Sequence, residues 1–297
     1  MKDHQEEFYP AALTIAGSDS GGGAGIQADL RTFNAAGIFG CSAITAVAAQ
    51  NPFKLCSWKA VDPELVADQI NAVFEAVAIK AVKIGMCGSV ENIKAAAFAL
   101  KNRKVPLIID PVVTTLRGTD LLDKEGLQAL KELLLPMAGM IMPDIPNAEI
   151  LLGRKLKNEP EYISAARELA GLYSSNVLLR SSHTLRNGSV GDVAVLAGDV
   201  YLLTSPELPD ISQYVLHGCG CTFSSAVTAM LACGNGWKDA VKAAKAHVYG
   251  ALSEAACIGK GLEAMYPPLE DYSRAVALRR VDGKPAGKGG KHVRKTL

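Results

Sequence analysis

The sequence predicts an α/β fold, a mostly parallel central sheet between two helix layers, on three observations. Short apolar runs alternate with stretches of helical spacing along the body of the chain. Most of those runs are continuously apolar, as strands covered on both faces are. Glycine-rich segments follow strand ends, where an open parallel sheet gathers its ligand loops.

Taken in order, an apolar strand at 13–16 leads into Gly17-Ser18-Asp19-Ser20-Gly21-Gly22-Gly23-Ala24-Gly25 and then into a helical pattern over 26–33. Further strands are predicted at 42–48, 81–84, 107–109, 139–142, 177–179, 193–196 and 200–203. Between them, Asp62 and Pro63 supply an N-cap and a first-turn proline, and Ser89 caps a helix over 90–100. Pro136 follows a helix over 124–135, and Gly234 closes the helix that begins at Cys221. Only Ala197, Gly198 and Asp199 separate the last two strands, which predicts an antiparallel hairpin at the sheet edge. Neither a repeat nor a linker interrupts this pattern, so a single domain is expected over 9–275 without a large lid domain. The basic, glycine-rich stretch 276–297 reads as a disordered tail.

Composition narrows the function classes. At 297 residues, with 49% hydrophobic and 21% charged residues and a formal net charge of +1, the chain has a large core and no long-range field to draw nucleic acid or an anionic membrane. No apolar run approaches the roughly 20 residues of a membrane span, and residues 1–8 are polar and acidic, unlike a signal peptide, so a cytoplasmic protein is expected. Seven cysteines scattered through core segments argue against a disulfide framework. Cys219 and Cys221 stand too close for half of a usual zinc site.

The chemistry concentrates at His217-Gly218-Cys219-Gly220-Cys221-Thr222. Two glycines let backbone approach a ligand, and the amides at the start of the helix behind them suit a phosphate. A cysteine there is expected to be drawn toward thiolate, which makes Cys221 a candidate base. The first glycine loop lacks the terminal Gly-Lys-Ser/Thr of a Walker A sequence and is not a regular dinucleotide fingerprint. Two more strand ends carry carboxylates, at Asp110-Pro111-Val112 and at Met142-Pro143-Asp144-Ile145-Pro146-Asn147-Ala148-Glu149. Oxygen ligands of that kind hold Mg²⁺ on nucleotide phosphates.

Five ordered segments carry a family resemblance. They are Ala-Leu-Thr-Ile-Ala-Gly-Ser-Asp with Gly-Gly-Ala-Gly-Ile-Gln-Ala-Asp-Leu, Ile-Thr-Ala-Val-Ala-Ala-Gln-Asn at 44–51, Val-Lys-Ile-Gly-Met at 82–86, Asp110-Pro111-Val112, and His-Gly-Cys-Gly-Cys-Thr. Together they resemble the hydroxymethylpyrimidine and phosphomethylpyrimidine kinases of thiamine biosynthesis, which share the ribokinase-like three-layer α/β/α fold with pyridoxal kinases. The resemblance implies ATP as co-substrate, Mg²⁺, a small pyrimidine substrate and a homodimer, and leaves open whether a monovalent cation assists. It places Cys221 as catalytic base with the backbone of Gly218, Cys219 and Gly220 around the transferred phosphoryl group. It assigns Gln50 to the aminopyrimidine edge, Asp29 and Gly17 to substrate contact, and Ala24, Met86 and Val112 to the walls around the ring. On the nucleotide side it implies Arg180, Asp144 and Thr222, with Asp110, Asp144 and Asn147 toward the metal.

The sequence departs from the family pattern at several of these positions. Asp144 and Asn147 exchange the carboxylate and amide of Thr-Pro-Asn-Leu-Pro-Glu. Arg180-Ser181-Ser182-His183 replaces Lys-Gly-Gly-His, and His183 is read as structural. Cys219 replaces a threonine, and Leu116-Arg117-Gly118 replaces Lys-Ser-Gly. A kinase of pyridoxal or pyridoxine stands as the near alternative, and a vitamin-binding protein on the same fold without phosphoryl transfer as the alternative of another class.

Overall fold

All eight predicted strands are present, as parts of a ten-stranded sheet. The computed structural model describes residues 8–114, 118–185, 187–208, 215–260 and 262–281. The chain runs β1 (Ala11–Asp19), α1 (Gly25–Ala35), β2 (Phe39–Asn51), β3 (Lys54–Ala60), α2 (Pro63–Ala76), β4 (Ile79–Ile84), α3 (Val90–Leu100), β5 (Leu107–Ile109), α4 (Lys124–Ala129), β6 (Met140–Ile141), α5 (Ile145–Leu152) and α6 (Glu159–Tyr173). It continues through β7 (Asn176–Thr184), β8 (Ser189–Leu196), β9 (Asp199–Pro206), α7 (Cys219–Ala232), α8 (Trp237–Ser253), β10 (Ala256–Gly259), β11 (Leu262–Ala264) and β12 (Ala277–Arg280).

The sheet order is β12-β9-β8-β7-β6-β5-β4-β1-β2-β3. From β2 across to β7 the neighbours are parallel, while β3, β8, β9 and β12 are antiparallel additions at the two ends. Alternation along the strands divides the core between two faces. Leu13, Ile15, Ile84, Ile109, Ile141 and Leu179 point to the layer of α2, α3, α4, α5 and α6. Ile108, Met140, Met142 and Leu178 meet α7 and α8, and Ala12 and Ala81 meet α1 and α7. The expected three-layer arrangement follows, and it delivers every parallel strand end to one side.

The helix boundaries obey the cap chemistry. Asp62 accepts from Glu64 N at 2.9 Å, Ser89 accepts from Asn92 N at 3.1 Å, and Gly234 ends α7 in the left-handed region at φ 85°.

Two expectations need correction. The hairpin of β8 and β9 turns through Ala197 and Gly198, both at positive φ, but it is not the sheet edge, because β12 pairs antiparallel with β9. The supposed tail therefore does not begin at 276: Val276 is buried, Leu278 packs on the core, and Arg280 pairs with Asp199. Polar composition concealed a four-residue edge strand that needs only alternate apolar side chains. The rest of that stretch, from 282 onward, lies outside the described residues, as do Leu116 and Arg117.

Candidate active site

The site is built where the ends of β1, β2 and β5 face the N-terminus of α7. At the end of β1, Asp19 organises the first glycine loop by accepting Gly21 N on Oδ1 and Ala24 N on Oδ2, each at 2.8 Å. The Ser20 hydroxyl donates to the Gln50 carbonyl at 2.8 Å and accepts from its amide at 2.9 Å, which fixes the end of β2 to that loop. Gly17 leaves room for Met86, whose Sδ lies 3.3 Å from where a Cβ would stand. Met86 itself is held by Thr45, which donates to its carbonyl at 2.6 Å. Met86, Ala24 and Val112 are half-buried.

The second loop closes on the first. Gly218 caps α7 at φ 85°, and a side chain there would strike the Gly23 carbonyl, so two glycines from distant parts of the chain allow the loops to touch. His217 bridges them, with Nε2 at 2.9 Å from Asp19 Oδ2 and 3.2 Å from the Gln50 amide nitrogen. At the first turn of α7, Thr222 N donates to Gly218 O at 2.8 Å. Thr222 is buried. The amides of Gly220 and Cys221 lie in the unpaired first turn of the helix, where an anion is favoured. Cys219 departs from the expectation of three free amides, because its N–H donates to Leu216 O at 3.1 Å.

Cys221 occupies the expected position but not the expected ionisation. Burial pushes its thiol up to about 11; the Lys83 charge and a hydrogen bond from the Gly25 amide pull the other way, and Asp29 and Asp110 add to the rise. The helix end alone does not outweigh desolvation. Burial raises the neighbouring Cys219 thiol as well.

Asp29 is not presented to a ligand. It is completely buried and accepts from Lys83 Nζ at 2.7 and 2.9 Å, from Thr14 Oγ1 at 2.6 Å and from Ser225 Oγ at 2.6 Å, so its lone pairs are engaged inside the protein. Burial disfavours the Lys83 charge, yet the adjoining Asp29 carboxylate more than compensates and holds the ammonium above the ordinary lysine value.

Arg180 and Asp110 form a bidentate ion pair at 2.8 and 2.9 Å, both largely buried. The guanidinium also lies against Gly220, within 3.1 Å of where a Cβ would be. A fixed positive fork thus stands beside the free amides of α7, a suitable cradle for phosphate oxygens. Asn147 is a further correction: its Oδ1 accepts from Val113 N at 3.0 Å and Thr114 N at 3.1 Å, and its Nδ2 donates to Asp144 Oδ1 at 2.6 Å. The exchanged amide ties the loop after Asp110 to α5 instead of facing a metal. Asp144 caps α5 through the same Oδ1, which leaves Oδ2 as the available oxygen. Among the described residues no group of three or more His, Cys, Asp or Glu is arranged to hold a metal. With both Asp110 oxygens on Arg180, the donor set fits a cation that arrives on a nucleotide and keeps its waters, not a caged one.

The irregular stretch of β7 after Arg180 is held from behind. Ser182, at φ 44°, donates its amide to Asp192 Oδ1 at 2.9 Å, and Lys245 Nζ donates to Asp192 Oδ2 at 2.7 Å. His183 is structural, as read, bonded to Ser181 at 2.8 Å and Glu159 at 3.0 Å. The sequence reading missed Asp19, Lys83, Asp192, His217 and Lys245 as site-building residues. Lys83 left a signal, a charge within a strand covered on both faces, which requires a buried partner.

Comparison with known proteins places the chain in a family. A family model described as phosphomethylpyrimidine kinase matches residues 19–266. The hydroxymethylpyrimidine/phosphomethylpyrimidine kinase of Haemophilus influenzae is 41% identical over 253 residues, covering 84% of this chain and 93% of that protein. The thiamine biosynthesis bifunctional protein ThiED of Geobacter sulfurreducens is 40% identical over 84% of this chain, which spans only about half (51%) of that longer protein. Among solved structures, pyridoxal kinase from Staphylococcus aureus in complex with AMP-PCP superposes with a TM-score of 0.81 at 28% identity, covering 92% of this chain and all (100%) of that one.

Proposed function

The chain belongs to the phosphomethylpyrimidine kinase family, and from that premise we propose that it transfers the γ-phosphoryl group of ATP to 4-amino-5-hydroxymethyl-2-methylpyrimidine and then to the resulting monophosphate, for thiamine biosynthesis. It is an ATP-dependent kinase of the ribokinase-like fold. The observation that carries the reading of the site is the convergence of the two glycine loops. At that convergence His217 touches the Gln50 amide, Ala24 lies against Gly218, and Arg180 lies against Gly220.

In this reading the ring lies between Met86, Ala24 and Val112 with Gln50 on its edge, and its hydroxymethyl oxygen points to Cys221. The Gly220 and Cys221 amides and Arg180 stabilise charge on the phosphoryl oxygens as it passes in line. Positioning and electrostatics of this kind dominate phosphoryl transfer, so a thiol that is protonated at rest is compatible with turnover. Mg²⁺ carried on the nucleotide would neutralise phosphate charge, with Asp144 as the residue that has a carboxylate oxygen to offer.

The test supplies ATP and Mg²⁺ with the hydroxymethylpyrimidine, its monophosphate or pyridoxal, and identifies each product by mass. Mono- and diphosphate from the pyrimidine are expected. Product from pyridoxal alone would replace this reading with that of a pyridoxal kinase, and pyrimidine binding without any transfer would replace it with a binding protein.

A further inference from the structure

The loop between β4 and α3, residues 85–88, carries Met86 and has little backbone to hold it. Gly85 N donates to Ile15 O at 2.9 Å, which continues the ladder of β4 with β1. Beyond that point, no backbone amide among the described residues donates to the carbonyl of Met86 or of Cys87. Side chains take their place. Thr45 Oγ1 of β2 donates to Met86 O at 2.6 Å, and Asn92 Nδ2 of α3 donates to Cys87 O at 3.2 Å and to Thr45 O at 2.9 Å. Two successive carbonyls of the loop are thus tied to one residue of β2, the first directly and the second through Asn92.

Asn92 keeps this place against an energetic penalty. It is fully buried, and both of its partners are carbonyls, which fixes the NH₂ end and leaves Oδ1 buried without a partner. Helix formation does not require the side chain, because Ser89 already caps α3 by accepting the Asn92 amide at 3.1 Å. Thr45 O does not require it either, since it also accepts Val61 N at 2.8 Å. Among the described residues, what Asn92 alone supplies is the bond to Cys87 O, and with it the course of the loop. That course decides where the Met86 side chain stands. Its Sδ lies 3.3 Å from the position of a Cβ on Gly17, so the thioether is set against the end of β1.

Resting on the reading of Met86 as a wall of the ring site, we propose that Asn92 and Thr45 are positioning residues for the substrate ring, which hold the 85–88 loop so that the Met86 thioether keeps one distance from it. Both act from behind the wall. A loop freed of either bond lets the wall back away, and the flat ring loses van der Waals contact on that side. A wall already in place also spares the ligand the cost of ordering it.

Titration calorimetry without nucleotide gives the Kd of hydroxymethylpyrimidine for the wild type, Thr45→Val, Thr45→Ser, Asn92→Leu, Met86→Ala, and Thr45→Val combined with Met86→Ala. Melting temperature and KM for ATP are measured on the same proteins. Thr45→Val keeps the outline and removes the hydroxyl, and should weaken pyrimidine binding about three- to tenfold, the worth of one neutral hydrogen bond. Asn92→Leu removes the unpartnered oxygen together with the bond to Cys87 O, so binding should weaken to the same degree while the melting temperature stays within a few degrees of the wild type. Thr45→Ser keeps the hydroxyl and should bind as the wild type does. KM for ATP should stay constant throughout. Because Thr45 acts through Met86, Thr45→Val should add little to the loss already caused by Met86→Ala. Unchanged binding in both Thr45→Val and Asn92→Leu, a KM for ATP that rises in step, or losses that add fully in the double variant would overturn the proposal. A wild type that does not bind the pyrimidine, or a Met86→Ala variant that binds it equally well, would instead remove the reading on which the proposal rests.

Discussion

Cys221 holds the most demanding position in the site and an environment that works against it. With its thiol pushed up to about 11 by burial, Cys221 is protonated at pH 7. Alkylation of Cys221 by iodoacetamide, followed peptide by peptide in the mass spectrometer, should accelerate about tenfold per pH unit between 8 and 10. A plateau below pH 9 would show that the sulfur is not desolvated as the structure has it. If the thiolate is the base, kcat rises over the same range. Cys221→Ala should then flatten that profile and lower kcat by about 10²-fold or more at alkaline pH, with the KM for the pyrimidine little changed. The position of this cysteine was legible in the sequence because glycines beside a helix start are a local signal. Its ionisation was not, because desolvation depends on what the fold packs around the sulfur. Asp29 and Asn147 were misread for the same reason: a short motif names a carboxylate or an amide but not the direction in which packing turns it. Asp29 turns inward to Lys83, and Asn147 to the Val113 and Thr114 amides.

At the scale of elements, the continuously apolar strands were all readable, whereas the antiparallel additions at the edges were read in part. β3, with Lys54, Ser57 and Lys59 among its residues, and β12, with Arg279 and Arg280, lack the apolar run that marks a covered strand. β12 nonetheless completes the sheet, through its ladder with β9, the packing of Leu278 and the Arg280–Asp199 pair. Leu278 is half-buried and contributes part of the about 1.5–3 kcal/mol of a fully buried leucine, to which the exposed ion pair adds at most about 1 kcal/mol. A chain ending at Val276 should therefore melt several degrees below one ending at Val281, as about 1 kcal/mol corresponds to 2–4 °C at this size. Equal melting temperatures by calorimetry would show that β12 adds no stability.

The whole molecule brings residues far apart in sequence to one point, and a buried polar knot marks where its layers join. Asp29 of α1 receives Lys83 of β4, Thr14 of β1 and Ser225 of α7, one turn beyond Cys221, all within 2.9 Å. Hydrophobic packing can seat a helix on a sheet with some freedom to slide, but a carboxylate that accepts from three other elements permits only one register of α7 against the ends of β1 and β4. The second glycine loop, which begins α7, takes its placement from that register. Two buried charges that neutralise one another are costly to separate: Lys83→Met leaves an unpaired carboxylate and should cost about 3–5 kcal/mol, and Asp29→Asn, which strands the ammonium, a similar amount. The double variant removes both charges while the amide introduced by Asp29→Asn can still bond Thr14 and Ser225, so it should be more stable than either single variant. Urea unfolding of the three proteins would give a coupling of at least about 2 kcal/mol if the pair acts as a unit. Strict additivity would mean that Asp29 and Lys83 are stabilised independently, and that the register of α7 is set by its apolar contacts alone.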